Sequence, residues 1–342
     1  MVLIEELDQD AIEEQEAEKD ARPIRRAVSR ARHSPEEVPF ALTRRDLALL
    51  GDVWRFRLLT TSQLETLRRA DEDQATRFVS RLTLTRRLKG LYHHRYLRRI
   101  ARPCASGSQE PVYVLDREGA RALSLALEGG QEDEVAEGEV TEVHAPLPSR
   151  LPKAQGLEHL LLINQARVAF TGAESFSDGA ERLQLVEWKT SDQARFTVQM
   201  ARTRRSSQSV TLLPDAAMVL WVTREGKRSR HIAFLEADRG TESLSTLLSK
   251  AQAYFTYWKS GGFARDYAAP SGAGFWVLFT VPSKARSGTL LKALQSVEGG
   301  LTMFRVALES DLVPQRVAWA VWTEAGQGAL VKPYQWIEEE NR

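Results

Sequence analysis

The chain has 342 residues, 42% hydrophobic and 27% charged, and its 47 Lys and Arg nearly cancel 46 Asp and Glu to leave a net charge of +1. That length suits two domains with separate cores, while the overall charge points to no class of partner. The single cysteine, Cys104, excludes a disulfide framework or a structural zinc site within one chain. No signal peptide, membrane-length apolar run or nucleotide-binding glycine loop is present, so a soluble cytoplasmic protein is expected, and neither an ATPase nor a dehydrogenase is supported.

Charge is distributed unevenly. Residues 1–39 begin with a dense acidic run, Glu5, Glu6, Asp8, Asp10, Glu13, Glu14, Glu16, Glu18 and Asp20 against Lys19, too charged to bury a core and read as a disordered tail. From Phe40 to Arg102 the sign reverses, with fifteen Lys and Arg against six Asp and Glu, a balance that favours a polyanion such as double-stranded DNA. Within residues 40–128, Thr43 is placed to cap a helix through RRDLALLGDVWRF, and Thr61 or Ser62 to cap a second through TSQLETLRR. A third helix is expected from Asp73, with Ala75, Phe78, Val79 and Leu82 inward and Thr76, Arg77, Ser80 and Arg81 outward. A two-stranded hairpin from GLYHHRYLRRI to PVYVLD, with Cys104 at its tip, and a closing helix REGARALSLALE complete a winged helix-turn-helix. In that geometry Thr76, Arg77, Ser80 and Arg81 face a DNA groove, while Arg98, Arg99 and Arg102 follow the backbone. The adjacent His93 and His94, read as strand residues, point to opposite faces and do not make one metal site.

Residues 129–153 are acidic, punctuated by Gly and Pro, and read as a linker. Residues 154–342 open with the apolar helix LEHLLLINQARVAF, with Glu158 and His159 in its first turn. Three strands follow, RLQLVEWKT, TLLPDAAMVLWVT and RHIAFLEAD. A long helix after Thr241, the buried strand GFWVLFTV, a helix from Lys284 to about Ser296 and a strand MFRVAL come next. Twenty residues lie between Asp215 and Glu236. Because strand side chains alternate, Glu236 and Asp238 share one face and can converge with Asp215.

This arrangement is similar to the PD-(D/E)xK nuclease pattern, in which helix, three strands, helix and strand carry carboxylates around a divalent cation. The chain is thus read as a multi-domain α/β protein, with a winged helix ahead of a restriction-endonuclease-like domain. Glu158, Asp215, Glu236 and Asp238 supply oxygen ligands suited to magnesium or manganese. The pattern's closing Lys is Asp238 here, which adds negative charge where a cation normally steadies the phosphate. Lys250 in the following helix is one replacement, and Arg239 another if its strand ends in time. The same carboxylates can instead cap backbone amides, with Asp238-Arg239 as a turn.

LEHLLLIN, the PDA strand, LEADRGTES and a helix with Lys250 and Tyr254 together resemble the replication-relaxation family, over about residues 43–285. The resemblance implies work on plasmid or mobile-element DNA in replication, relaxation or transfer, with replication or relaxation proteins as partners. It leaves open a metal-dependent nicking endonuclease, with Asp215, Glu236, Asp238 and Lys250 as catalytic groups. It also leaves open a transcriptional regulator whose second domain is an inactive scaffold.

Overall fold

The computed structural model describes residues 40–78, 80–102, 109–129, 154–176, 181–203, 206–270, 272–298, 300–318, 321–326 and 330–333. The acidic tail, Val79, the hairpin tip with Cys104 and the linker from 130 lie outside the described residues. Among those described, no helix is long and apolar enough to cross a membrane.

The N-terminal unit is built on two reciprocal caps. Thr43 starts α1 (Arg44–Phe56): its side chain accepts from the Asp46 amide, and the Asp46 carboxylate accepts from the Thr43 amide at 2.7 Å. Thr60 and Gln63 do the same for α2 (Thr61–Arg69), one residue before the expected caps.

The third helix does not start at Asp73. Asp71 accepts from the Asp73 amide at 3.1 Å and from the Thr76 hydroxyl, and Asp73 accepts from the Ala75 amide at 2.9 Å. Short carboxylates bonded to nearby backbone hold turns in competition with helix. The helix is α3 (Arg81–His93), with Leu84, Leu88 and Leu91 fully buried at helical spacing. Of the four polar residues expected on its outer face, only Arg81 is helical; Thr76 is buried, Arg77 donates to the Asp71 carbonyl at 3.0 Å, and Ser80 precedes the helix. His93 and His94 lie at its C-terminal end rather than on a strand, and His94 stacks on Phe40 at 4.9 Å. A Cβ at Gly90 would come within 2.5 Å of the Phe40 ring, so glycine is what lets that ring close over α3.

A small antiparallel sheet, in the order β1 (Leu59–Thr60), β3 (Val112–Leu115) and β2 (Leu97–Ile100), and then α4 (Arg117–Gly129) complete this unit.

Helix α5 (Ala154–Gly172) is enclosed on more than one side, with Leu157, Leu161, Leu162, Ala166, Val168, Ala169 and Phe170 all buried. Leu157 and Leu161 pack with Leu58, Val112 and Val114 of the head, whereas Leu162, Ala166, Ala169 and Phe170 pack on the large sheet. Asn164, 3% exposed, donates to the Phe56 and Leu58 carbonyls at 3.0 and 2.7 Å, and Gln63 donates to the Leu161 carbonyl at 3.0 Å. Arg167 lies over the Phe56 ring at 4.4 Å. One helix therefore belongs to both cores.

The large sheet has seven strands in the order β12 (Leu330–Val331), β11 (Trp322–Glu324), β10 (Phe304–Leu308), β9 (Trp276–Val281), β8 (Lys227–Ala237), β7 (Ala216–Arg224) and β4 (Glu181–Thr190). β4, β7 and β8 are antiparallel neighbours, and β8, β9 and β10 run parallel. The parallel crossovers are carried by α6 (Leu244–Lys259) and α7 (Lys284–Leu294). Ser243, not Thr241, caps α6. Glu225 and Gly226, both at positive φ, close the β7–β8 turn between the paired Arg224 and Lys227, as a tight two-residue hairpin requires.

Alternation gives the sheet two buried faces. Ala217, Val219, Ile232, Phe234, Val277 and Phe279 pack with α6 and α7, and Met218, Leu220, Ala233, Leu235 and Leu278 face α5. The expected strand TLLPDAAMVLWVT is divided: its first residues belong to a separate polar hairpin, β5 (Phe196–Thr203) and β6 (Ser206–Leu212), and β7 begins only after Asp215.

Candidate functional site

The C-terminal end of β8 gathers the charged residues. Because β8 alternates, Glu236 follows Phe234 onto the α6 side and is 1% exposed. Lys250 and Tyr254, one turn apart on α6, both reach it: Lys250 Nζ lies 3.0 Å from Glu236 Oε2, and Tyr254 Oη donates to Oε1 at 2.6 Å. Lys250 also donates to Glu242 at 2.9 Å. Lys250 thus joins the end of β8 to the turn that follows it.

Asp238, 2% exposed, takes a different partner. Arg286 of α7 donates to it through Nε at 2.7 Å, and the Gly240 amide donates at 2.8 Å. Arg286 also donates to the Glu242 carbonyl at 2.5 Å, tying the turn after β8 to α7. Asp215 sits just before β7. Its amide donates to the Leu235 carbonyl at 3.1 Å, while its carboxylate accepts from the Ala237 amide at 2.7 Å and meets His159 Nε2 at 2.8 Å. Glu158 faces the head, where Arg102 at the base of the β2–β3 hairpin donates to it through Nε at 2.9 Å.

Burial and pairing set the protonation of this cluster. Burial pushes Glu236 up to about 7, against the opposing pull of Lys250 and Tyr254, with Asp215 adding to the rise. Burial acts against the Lys250 ammonium, but Glu236 and Glu242 together lift it above the usual lysine range. Hydrogen bonding to Asp215 raises His159 despite partial burial. Burial also raises Tyr254, which therefore stays a neutral donor, and Glu309, where Arg239 acts in the opposite direction.

Magnesium or manganese requires several oxygens facing one point. Here Glu158, Asp215, Glu236 and Asp238 are each bonded to a basic side chain of the protein: Arg102, His159, Lys250 and Arg286. Among the described residues no group of three or more His, Cys, Asp or Glu side chains is arranged to hold a metal ion. As they stand, the four carboxylates do not fit a divalent cation. Arg286, Tyr254 and Glu242 had no assigned part in the motif. Tyr254 and Glu242 fall within the segments that carry the family resemblance, with the four-residue step from Lys250 to Tyr254 as a further signal, whereas Arg286 lies 48 positions from its partner.

A second charged surface lies on the head. Along α3, Leu82, Thr83, Thr85, Arg86 and Lys89 are exposed, and Arg98 and Arg99 are exposed on β2. Among the described residues, Arg86, Lys89 and Arg98 make no ion pair, while Arg99 lies over the Tyr92 ring at 5.1 Å. Arg81 is engaged within the protein, donating to Glu65 and, at 2.8 Å, to Glu110.

A mixed α/β chain with a small three-stranded sheet ahead of a larger mixed sheet, and ionisable groups gathered at one strand end, is the class that fold and site define. The sequence model of the replication-relaxation family matches residues 50–269, and the chain belongs to that family. Membership suggests a role in replication or relaxation of plasmid or mobile-element DNA. Neither a curated protein nor a solved structure matches the chain.

Proposed function

We propose that residues 40–129 form a winged helix-turn-helix that binds duplex DNA, and that residues 154–333 form a restriction-endonuclease-like domain held rigidly to it, the two acting together on plasmid or mobile-element DNA. The observation that carries this reading is α3, apolar inward at Leu84, Leu88 and Leu91 and polar and basic outward. A helix of this kind enters the major groove, about 12 Å wide, and reads base edges from its N-terminal turns. Lys89 on α3, with Arg98 and Arg99 on the adjoining strand, then neutralises phosphates and releases condensed counterions. Since α5 packs into both cores, DNA on α3 is held in a fixed relation to the carboxylate cluster.

The closed ion pairs favour a scaffold over a metal-dependent nicking enzyme. Four carboxylates already bonded to basic side chains of the protein hold their geometry without an ion, and Lys250 is engaged by two of the acidic groups around it. Fluorescence anisotropy of the full chain on a labelled duplex tests the first part. Binding that weakens steeply with salt is expected, and salt-independent binding or none would refute it. Incubation with supercoiled plasmid in magnesium, manganese or chelator tests the second part. The scaffold reading expects no nicking in any of the three; nicking lost in chelator and in Asp215→Asn would establish the enzyme instead.

A further inference from the structure

The first turn of α3 is chemically unusual for a groove-reading surface. Its arginine, Arg81, is held between Glu65 and Glu110 and also donates to Ser62 at 3.2 Å, so its donors are directed into the protein. Beside it stands Leu82, 60% exposed although α3 buries three other leucines completely. Leu82, Arg86 and Lys89 follow one another at four and three residues, a spacing that lines them along a single helical stripe. An apolar group therefore leads the stripe, and two cations without ion pairs among the described residues follow it.

Resting on the duplex-binding reading above, the geometry points to a specificity determinant: Leu82 reads the 5-methyl group of a thymine in the major groove, and Arg86 reads a guanine one or two base pairs away. Among the base pairs only those with thymine present a methyl group in the major groove, and it is the group there that an apolar side chain contacts. Guanine offers O6 and N7, which a guanidinium engages in parallel. The spacing follows from helix geometry. Four residues advance the axis by about 6 Å, which is between one and two base-pair steps of about 3.4 Å. The polar Thr83 and Thr85 flank the stripe, and Lys89 lies a turn further on, where a phosphate contact completes the footprint. The positive charge along the stripe selects nucleic acid over an apolar protein partner for the exposed leucine.

The test uses the full chain and duplexes selected by it from a random library. In the best duplex each thymine is replaced in turn by deoxyuridine, which deletes the methyl group and leaves base pairing unchanged. One position is expected to weaken binding by about fourfold, the worth of one buried methyl group, with a guanine one or two base pairs from it. Leu82→Ala, on an exposed position that does not disturb folding, should bind the thymine duplex with that weaker affinity and show no further loss with deoxyuridine. The inference is overturned if no thymine responds, or if Leu82→Ala keeps the full deoxyuridine effect. Salt-dependent binding with no responsive thymine removes the Leu82 assignment alone. Failure to bind duplex DNA even at low salt removes the winged-helix reading and this inference together.

Discussion

Lys250→Met should expose the electrostatic design of the carboxylate cluster. Glu236 is 1% exposed and has two donors, Lys250 at 3.0 Å and Tyr254 at 2.6 Å, with burial holding its pKa at about 7. Removing the ammonium leaves a buried carboxylate with one neutral donor, a change that typically costs about 3–5 kcal/mol. The penalty has an escape, because Glu236 can take up a proton. A carboxyl whose folded pKa is raised loses stability as pH climbs from its unfolded value, ordinarily near 4.5, to its folded value, and is level beyond that. In the parent this loss is complete near pH 7; in the variant the folded pKa is higher still and the loss continues. The two proteins should therefore differ little at pH 5.5 and diverge above pH 7 by about 1.4 kcal/mol per pH unit until the full penalty is reached. Urea unfolding at pH 5.5, 7 and 8.5 measures it. An equal penalty at all three values would show that Lys250 acts by packing, and would refute the charge argument.

Asn164→Leu deletes both donors to the Phe56 and Leu58 carbonyls, so about 1–3 kcal/mol of stability should be lost, and calorimetry should resolve separate transitions for head and sheet domain; one unchanged transition would show that Asn164 does not carry their coupling. Glu158→Gln should tighten duplex binding at low salt by freeing Arg102 from its ion pair, a gain that vanishes in the Arg102→Ala background; equal affinity for parent and Glu158→Gln would show that Arg102 does not reach DNA. Magnesium or manganese should raise the melting temperature no more than sodium chloride of equal ionic strength, since each carboxylate already has a basic partner. A larger shift, abolished by Asp215→Asn, would establish a divalent-metal site.

Much of the architecture is legible where one interaction dominates. The Thr43 cap, the inward leucines of α5, the apolar strands β7, β8 and β9 and the α6 and α7 crossovers all follow from local pattern, because burial of a continuous face decides them. The misplaced third helix shows where pattern fails. Ala75, Phe78 and Leu82 have helical spacing, but Asp71 and Asp73 bond the intervening backbone into turns, and the helix forms where Leu84, Leu88 and Leu91 can be buried beneath Phe40. The β5–β6 hairpin is concealed because outward residues such as Thr197, Gln199 and Ser207 are polar, and its contribution to the core is short, Phe196, Val198 and Leu212 buried with Met200 and Val210 packed against them. Within the site, strand alternation points Glu236 to the α6 side where Lys250 of the following helix meets it, whereas Asp215 and Asp238 lie just outside β7 and β8 and take His159 and Arg286 as partners. Arg286 and the Arg102–Glu158 pair are not legible, since tertiary folding brings them together across 48 and 56 positions, and an arginine at such range carries no local signature.

The most direct measurement of the central claim is the salt dependence of duplex binding by the full chain and by Arg86→Ala/Lys89→Ala. If α3 lies on DNA with Lys89 at a phosphate and Arg86 at a guanine edge, the double variant should bind more weakly, and its slope of log affinity against log salt should be shallower by about 1, near 0.9 for the one phosphate contact. The double variant should also lose the preference for the guanine that Arg86 reads. A double variant with the parent's affinity and slope would contradict the assignment of α3 as the DNA-binding helix.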